Sequence, residues 1–375
     1  MKKCLLRLLI TLPLIILLTT NAFALDDEEF ISQQYKNSEA FELIGDLPNE
    51  TQEMLNSLGI DQVEFSKISN ISFKNIIEMM KEIVRGEIKS PFRFLFTMTG
   101  VLILIAIAKT IVSTENNEAI DLACSLFFII AIMSSMISYS TYVISAIDLS
   151  HKFMLSFIPI FTAVIAVSGN PASALNYNTV AMILSQSASS FTNSFLVPLV
   201  VMFVALSISA SISPALNMGE LLEMLKKSIT WLLTAICTVF TGFLTIKGIL
   251  VSSADTVAAK SGKALVGALI PIIGSSLSDS YSSILGSMSM LKNTIGAFGI
   301  LVVALINIPV LVQALLWIIS IYLTAFVAES MGQKNCAQLL KNINSTNIIL
   351  VAILIFNLVL IMVSTALVMV FKATI

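Results

Sequence analysis

The chain holds one histidine, His151, beside Lys152. Any acid–base chemistry would therefore have to run mainly through carboxylates, lysines or tyrosines. No two carboxylates share an apolar segment, and no HExxH, GxxxxGK[ST] or GxSxG sequence occurs. Cys4, Cys124, Cys237 and Cys336 form no CxxC pair, and the last three read as buried, inert thiols. His151 reads as an interfacial residue at a loop or helix edge. The residues thus predict no catalytic group, no metal site and no cofactor.

The remaining polar residues are better suited to positioning than to reaction. Asp279, inside the Ser-rich stretch 275–283, is the best candidate for a charge buried in an apolar segment, and ionisable groups in such places are usually functional. Asp255, Lys260 and Lys263 lie just upstream of it. Lys109, Lys247 and Glu329 fall near the ends of apolar runs, where long side chains reach water. Gln186, Asn193, Asn307, Gln313 and Asn357 lie within runs and read as helix–helix hydrogen-bonding groups. So few mid-membrane acids argue against a proton-driven pump, but not against a passive pore or an assembly scaffold.

Composition says what must hold these residues. Only 12% of the 375 residues are charged, 57% are hydrophobic, and mean hydropathy is +0.93. A soluble domain carries about 25% charged residues, so the expected solvent is lipid. The net charge of −2 gives no electrostatic footprint for nucleic acid. The predicted fold class is all-α: a polytopic transmembrane helical bundle behind a cleavable signal peptide and a short helical extracytoplasmic segment.

Residues 1–24 have the signal-peptide layout. Lys2, Lys3 and Arg7 precede an apolar run from Leu8 to Leu18, and Ala22-Phe23-Ala24 supplies small residues for cleavage. Residues 25–90 then carry 14 acids against 6 bases, which suits an extracytoplasmic segment. Within it Phe73, Ile76, Ile77, Met80, Ile83, Val84 and Ile88 recur at helical spacing. That stripe is expected to pack on the rest of the chain, with the membrane interface or a partner as alternatives.

Residues 91–375 form the expected bundle. Apolar runs occupy 92–112, 122–147, 153–169, 180–213, 229–251, 264–290, 295–328 and 348–371, giving about eight membrane segments, some broken or re-entrant. No charge occurs between Lys152 and Glu220, a stretch too long for one crossing at ~1.5 Å per residue. It must turn, and Ser168-Gly169-Asn170-Pro171 is the expected place. Lysines divide six to five between the two sides of an eight-span topology, so the signal peptide alone sets the orientation. Glu220 to Lys227 reads as a short connecting helix.

The regions 122–213 and 229–328 resemble each other. Each has a clean span, then a lysine and a proline (Pro159; Pro271), a polar patch, and a second proline (Pro198; Pro309) before a long apolar tail. Under the eight-span topology the repeat is inverted, a pattern that places broken helices together near a membrane midplane. A stand-alone permease-like small-molecule transporter is the alternative function this pattern keeps open.

The order of parts, with Val239-Phe240-Thr241-Gly242-Phe243-Leu244, resembles the stage III sporulation protein AE family. The likeness continues through Ala254-Asp255, Lys263, Val266-Gly267, Ile270-Pro271-Ile272-Ile273-Gly274, Leu277-Ser278-Asp279 and Leu291-Lys292-Asn293-Thr294-Ile295-Gly296. The resemblance implies a component of the mother cell–forespore channel, located in the mother-cell membrane around the forespore. It implies as partners the other stage III A operon membrane proteins and a forespore-side channel protein, and it brings no catalytic residue. Motif and repeat together mark Pro159, Asp255, Lys263, Pro271, Gly274, Asp279, Lys292, Asn293 and Pro309 as the candidate functional core.

Overall fold

The computed structural model describes residues 42–45, 47–64, 67–68, 70–111, 117–212, 218–269 and 274–370. The expected signal peptide at 1–24 and the start of the acidic segment lie outside them. Every regular element among the described residues is helical. Two short helices, α1 (Glu42–Gly45) and α2 (Asn49–Ser57), precede α3 (Phe73–Glu87) and α4 (Lys89–Ile111). Then come α5 (Asn117–Val167), α6 (Pro171–Phe191), a π-helical turn (Thr192–Leu196) and α7 (Val197–Ile212). The last three are α8 (Gly219–Leu269), α9 (Gly274–Ser330) and α10 (Lys334–Val370).

Local chemistry explains the boundaries. The Ser72 hydroxyl caps α3 by accepting from the Lys74 N–H at 3.3 Å. α5 ends where the sequence predicts a turn. Gly169 takes φ +80°, its N–H bonds the Ala166 carbonyl, and the Asn170 N–H reaches back to Ile165. This is the Schellman closure, which needs a residue free to adopt a left-handed conformation. Pro171 then opens α6 at a position where no N–H is required.

Among the described residues the apolar runs gather into six helical stretches of membrane-spanning length: Phe73–Thr110 (α3 with α4), Leu122–Val167, Pro171–Ala210 (α6, the π turn and α7), Gly219–Ala258, Ile284–Ser330 and Lys334–Val370. The runs 122–147 and 153–169 are one helix, α5. Only Asp148 to Lys152 separate them, and polarity without a glycine or proline does not break the hydrogen-bond ladder. The run 264–290 is not a segment of its own: residues 264–269 end α8 and residues 274–290 belong to α9, with 270–273 outside the described residues. The stretch from Glu220 to Lys227 is likewise the opening of α8, where Glu223 and Lys227 pair at 2.8 Å, and not a separate connecting helix.

Two hydrophobic cores are strung along the same long helices. One takes Phe94 and Leu102 of α4, Phe128 and Ile132 of α5, Trp317 of α9 and Leu354 of α10. The other takes Phe157 and Phe161 of α5, Tyr177 of α6, Phe298 of α9 and Met369 of α10. The acidic segment joins the second core through Leu55, Ile60, Met79 and Ile83. Packing on its own chain is thus seen, but through a narrower stripe than expected. Ile83 is buried while Phe73, Ile76, Ile77 and Val84 stay exposed.

Candidate functional site

Asp255 projects from the interior of α8 and is 1% exposed. Its two carboxylate oxygens accept the Ala172 and Ser173 N–H groups, each at 2.9 Å. These are orphan donors of the first turn of α6. The residue that would normally cap them, Asn170, instead donates its side-chain amide to the Ser168 carbonyl at 2.8 Å. Asp255 therefore caps α6 from a different helix, placing a negative charge on the positive end of that helix dipole through charge-assisted bonds.

Lys292 makes the complementary contact. It is 1% exposed in α9, and its ammonium donates to the Val368 carbonyl at 3.4 Å. Val368 belongs to the last turn of α10, where unsatisfied carbonyls form a negative pole. One turn before Lys292, the Met288 carbonyl accepts the Ser168 hydroxyl at 2.6 Å. That bond ties α9 to the turn leading into α6. Tyr177 of α6 and Thr365 of α10 approach at 3.5 Å through their hydroxyls. Asn293 follows Lys292, and its side-chain carbonyl has no hydrogen-bond partner among the described residues.

Further along the bundle lies a polar layer. His151 is 4% exposed and helical, not interfacial at a loop or helix edge as its sequence neighbours imply. Its Nε2 lies 3.0 Å from Asn357 Oδ1 and its Nδ1 3.3 Å from Ser185 Oγ. The Asn357 amide donates to Thr192 at 3.2 Å, where the π turn begins, and to its own helix at Ile353. The neighbouring Ser150 accepts the Asn307 amide at 2.8 Å. Two consecutive residues of α5 thus hold α6, α9 and α10 in register. Such π turns often mark functional positions. The layer offers hydrogen bonds across helices but no carboxylate pair, so its chemistry is positional.

The expected residues are divided by this arrangement. Asp255, Lys292 and Asn293 are brought to one end of the bundle. Pro309 is buried in α9, ~25 Å along the helix from Lys292. It walls a cleft of ≈ 220 Å³ shared with Glu50, Glu53, Glu82 and Glu87. Pro159 is inside α5 on an exposed face. Lys263 lies in α8, Gly274 opens α9 and Asp279 lies in its first turns, while Pro271 falls outside the described residues.

His151 was legible in principle. Ile147, His151, Met154, Ile158 and Phe161 recur at spacings of four and three, and all five are buried. The polar run from Asp148 to Lys152 masks that periodicity. Asn307 and Asn357 take the helix–helix role their positions predict.

Comparison with known proteins places this geometry. No solved structure matches the chain. A curated relative, "Stage III sporulation protein AE" of Bacillus subtilis (strain 168), is 24% identical over 229 residues. That alignment covers 57% of this chain and 57% of the relative, so it spans little more than half the relative's length. The family model for stage III sporulation protein AE matches residues 60–372. That span takes in α3 to α10, the two helix-end contacts and the His151 layer, and the chain belongs to the stage III sporulation protein AE family.

Proposed function

We propose that the chain is a non-enzymatic, multi-pass membrane component of the channel joining mother cell and forespore during endospore formation. The family match across residues 60–372 carries this reading. Its partners are other membrane products of the stage III A operon and a forespore-side channel protein. It sits in the mother-cell membrane around the forespore, with the acidic segment extracytoplasmic. It needs no nucleic acid and no cofactor.

Among the described residues, tight packing beside His151 favours an assembly component over a stand-alone carrier. Between 153–213 and 264–328, where a carrier would keep its substrate site, Phe157, Phe161 and Phe298 are fully buried. Phe157 stacks on Phe161 at 5.2 Å, and Phe161 meets Tyr177 edge-on. The cavity beside His151 measures ≈ 10 Å³, room for about one water molecule.

Deletion of the gene in an endospore-forming host is the test. Arrest after engulfment, with heat-resistant spores lost and restored by the wild-type gene, is expected. Normal spore yield from the deletion strain would overturn the assignment.

A further inference from the structure

We infer that the bilayer covers only one half of this bundle, and that the other half stands outside it as a helical head on the side of the acidic segment. This rests on the membrane-length helices and not on the channel reading.

Length gives the first argument. α5 and α8 have 51 residues each and α9 has 57. At ~1.5 Å per residue they run for ~75–85 Å, more than twice a ~30 Å hydrocarbon core. A single crossing leaves more than half of each helix unaccounted for.

Charge gives the second. In α8 no charged residue occurs between Lys227 and Lys247, a stretch of ~28 Å and one hydrocarbon thickness. In α4 the charge-free stretch runs from Arg93 to Lys109, and snorkelling of both side chains lengthens it. Side-chain contacts put these bands at one level. At one edge the Lys109 ammonium donates to Gln333 at 2.6 Å, Lys341 pairs with Glu329, and Lys226 donates to Ser345 at 3.2 Å. At the other edge the Tyr142 hydroxyl donates to Glu87 at 3.1 Å, beside Lys89 and Arg93. Between them Phe94 packs on Trp317 at 4.9 Å. Within this band, side chains such as Phe96, Ile130, Trp231, Val239 and Phe326 are 64–74% exposed, as a lipid-facing belt requires.

Beyond the Glu87 level apolar side chains such as Val167, Leu175 and Val257 are still exposed, but charged and polar residues join them. Here are the second core with the docked acidic segment, exposed Lys152 and Lys260, and buried Asp255 and Lys292. The most polar parts of the long helices are gathered here too. They are α6 with its Asn and Ser residues, the second half of α8, and the Ser-rich start of α9. Helix-end contacts such as Asp255 to Ala172 fit an aqueous edge of the head.

Depth-dependent fluorescence quenching tests the placement. The full-length chain, with its four native cysteines replaced by serine or alanine, would carry one new cysteine at a time, labelled with bimane. It would be reconstituted in phosphatidylcholine vesicles containing lipids spin-labelled on the acyl chain. Ile130→Cys and Trp231→Cys are expected to be quenched several-fold more than Leu175→Cys, Val257→Cys and Lys260→Cys. Leu175 and Val257 are the decisive sites, since both are exposed and apolar. Acyl-chain quenching there equal to that at 130 and 231 would overturn the inference. All five positions are exposed, and monodisperse elution in detergent checks folding of each variant.

Discussion

The carboxylate of Asp255 and the backbone amide of Ala172 meet at 2.9 Å, although 83 residues separate them in sequence. α8 thereby finishes the first turn of α6. The removal of the carboxylate leaves two N–H groups of a partly buried helix start without an acceptor. Asp255→Ala is expected to destabilise the folded protein by about 2 kcal/mol. Asp255→Asn, which keeps one acceptor oxygen, is expected to cost less. Denaturant titration in detergent measures both, and equal stability of Asp255→Ala and wild type would show that the contact contributes nothing.

The His151–Asn357 contact should register as a coupling energy. A double-mutant cycle with His151→Leu and Asn357→Leu is expected to give about 0.5–1.5 kcal/mol, as for a hydrogen bond between buried side chains. Strictly additive single and double variants would mean that the two side chains are neighbours without interaction.

Close approach of α5 and α9 depends on Gly299. A Cβ there would lie 2.3 Å from Cζ of Phe157, itself wholly buried. Gly299→Ala is expected to lower stability by about 1–3 kcal/mol through overpacking. Phe157→Leu in the same chain should recover part of the loss. Absence of any recovery would locate the strain elsewhere.

Docking of the acidic segment rests on side chains such as Leu55, which is fully buried against the second core. Leu55→Ala is expected to cost about 3 kcal/mol locally and to expose residues 42–64 to protease while the bundle stays intact. Cleavage of the bundle at the same rate as the segment would show that the two unfold as one unit.

The sequence makes the membrane character plain, since 12% charged residues are too few to give the whole chain a water-facing surface. It also marks the turn at Gly169, because glycine followed by Asn-Pro satisfies the local backbone chemistry there. Helix count is less legible. Asp148 to Lys152 look like a loop, yet nothing in them ends a helix, and tertiary packing buries His151 and Ser150 against Asn357 and Asn307. For the site, the sequence singles out Asp279 as the buried charge, whereas Asp255 is marked as its upstream neighbour and in the family resemblance, and Lys292 only through that resemblance. That Asp255 and Lys292 act on the ends of α6 and α10 depends on contacts spanning 83 and 76 positions, which no local pattern encodes. Pro159 and Pro309 are visible as interruptions, but α5 and α9 continue through both.

Affinity purification of the tagged chain from membranes of sporulating cells tests the central claim most directly. Co-elution of other stage III A operon membrane proteins, present after engulfment begins and absent from vegetative membranes, is the expected result. Recovery of the chain alone under mild detergent, in cells that still complete sporulation, would contradict the proposed channel role.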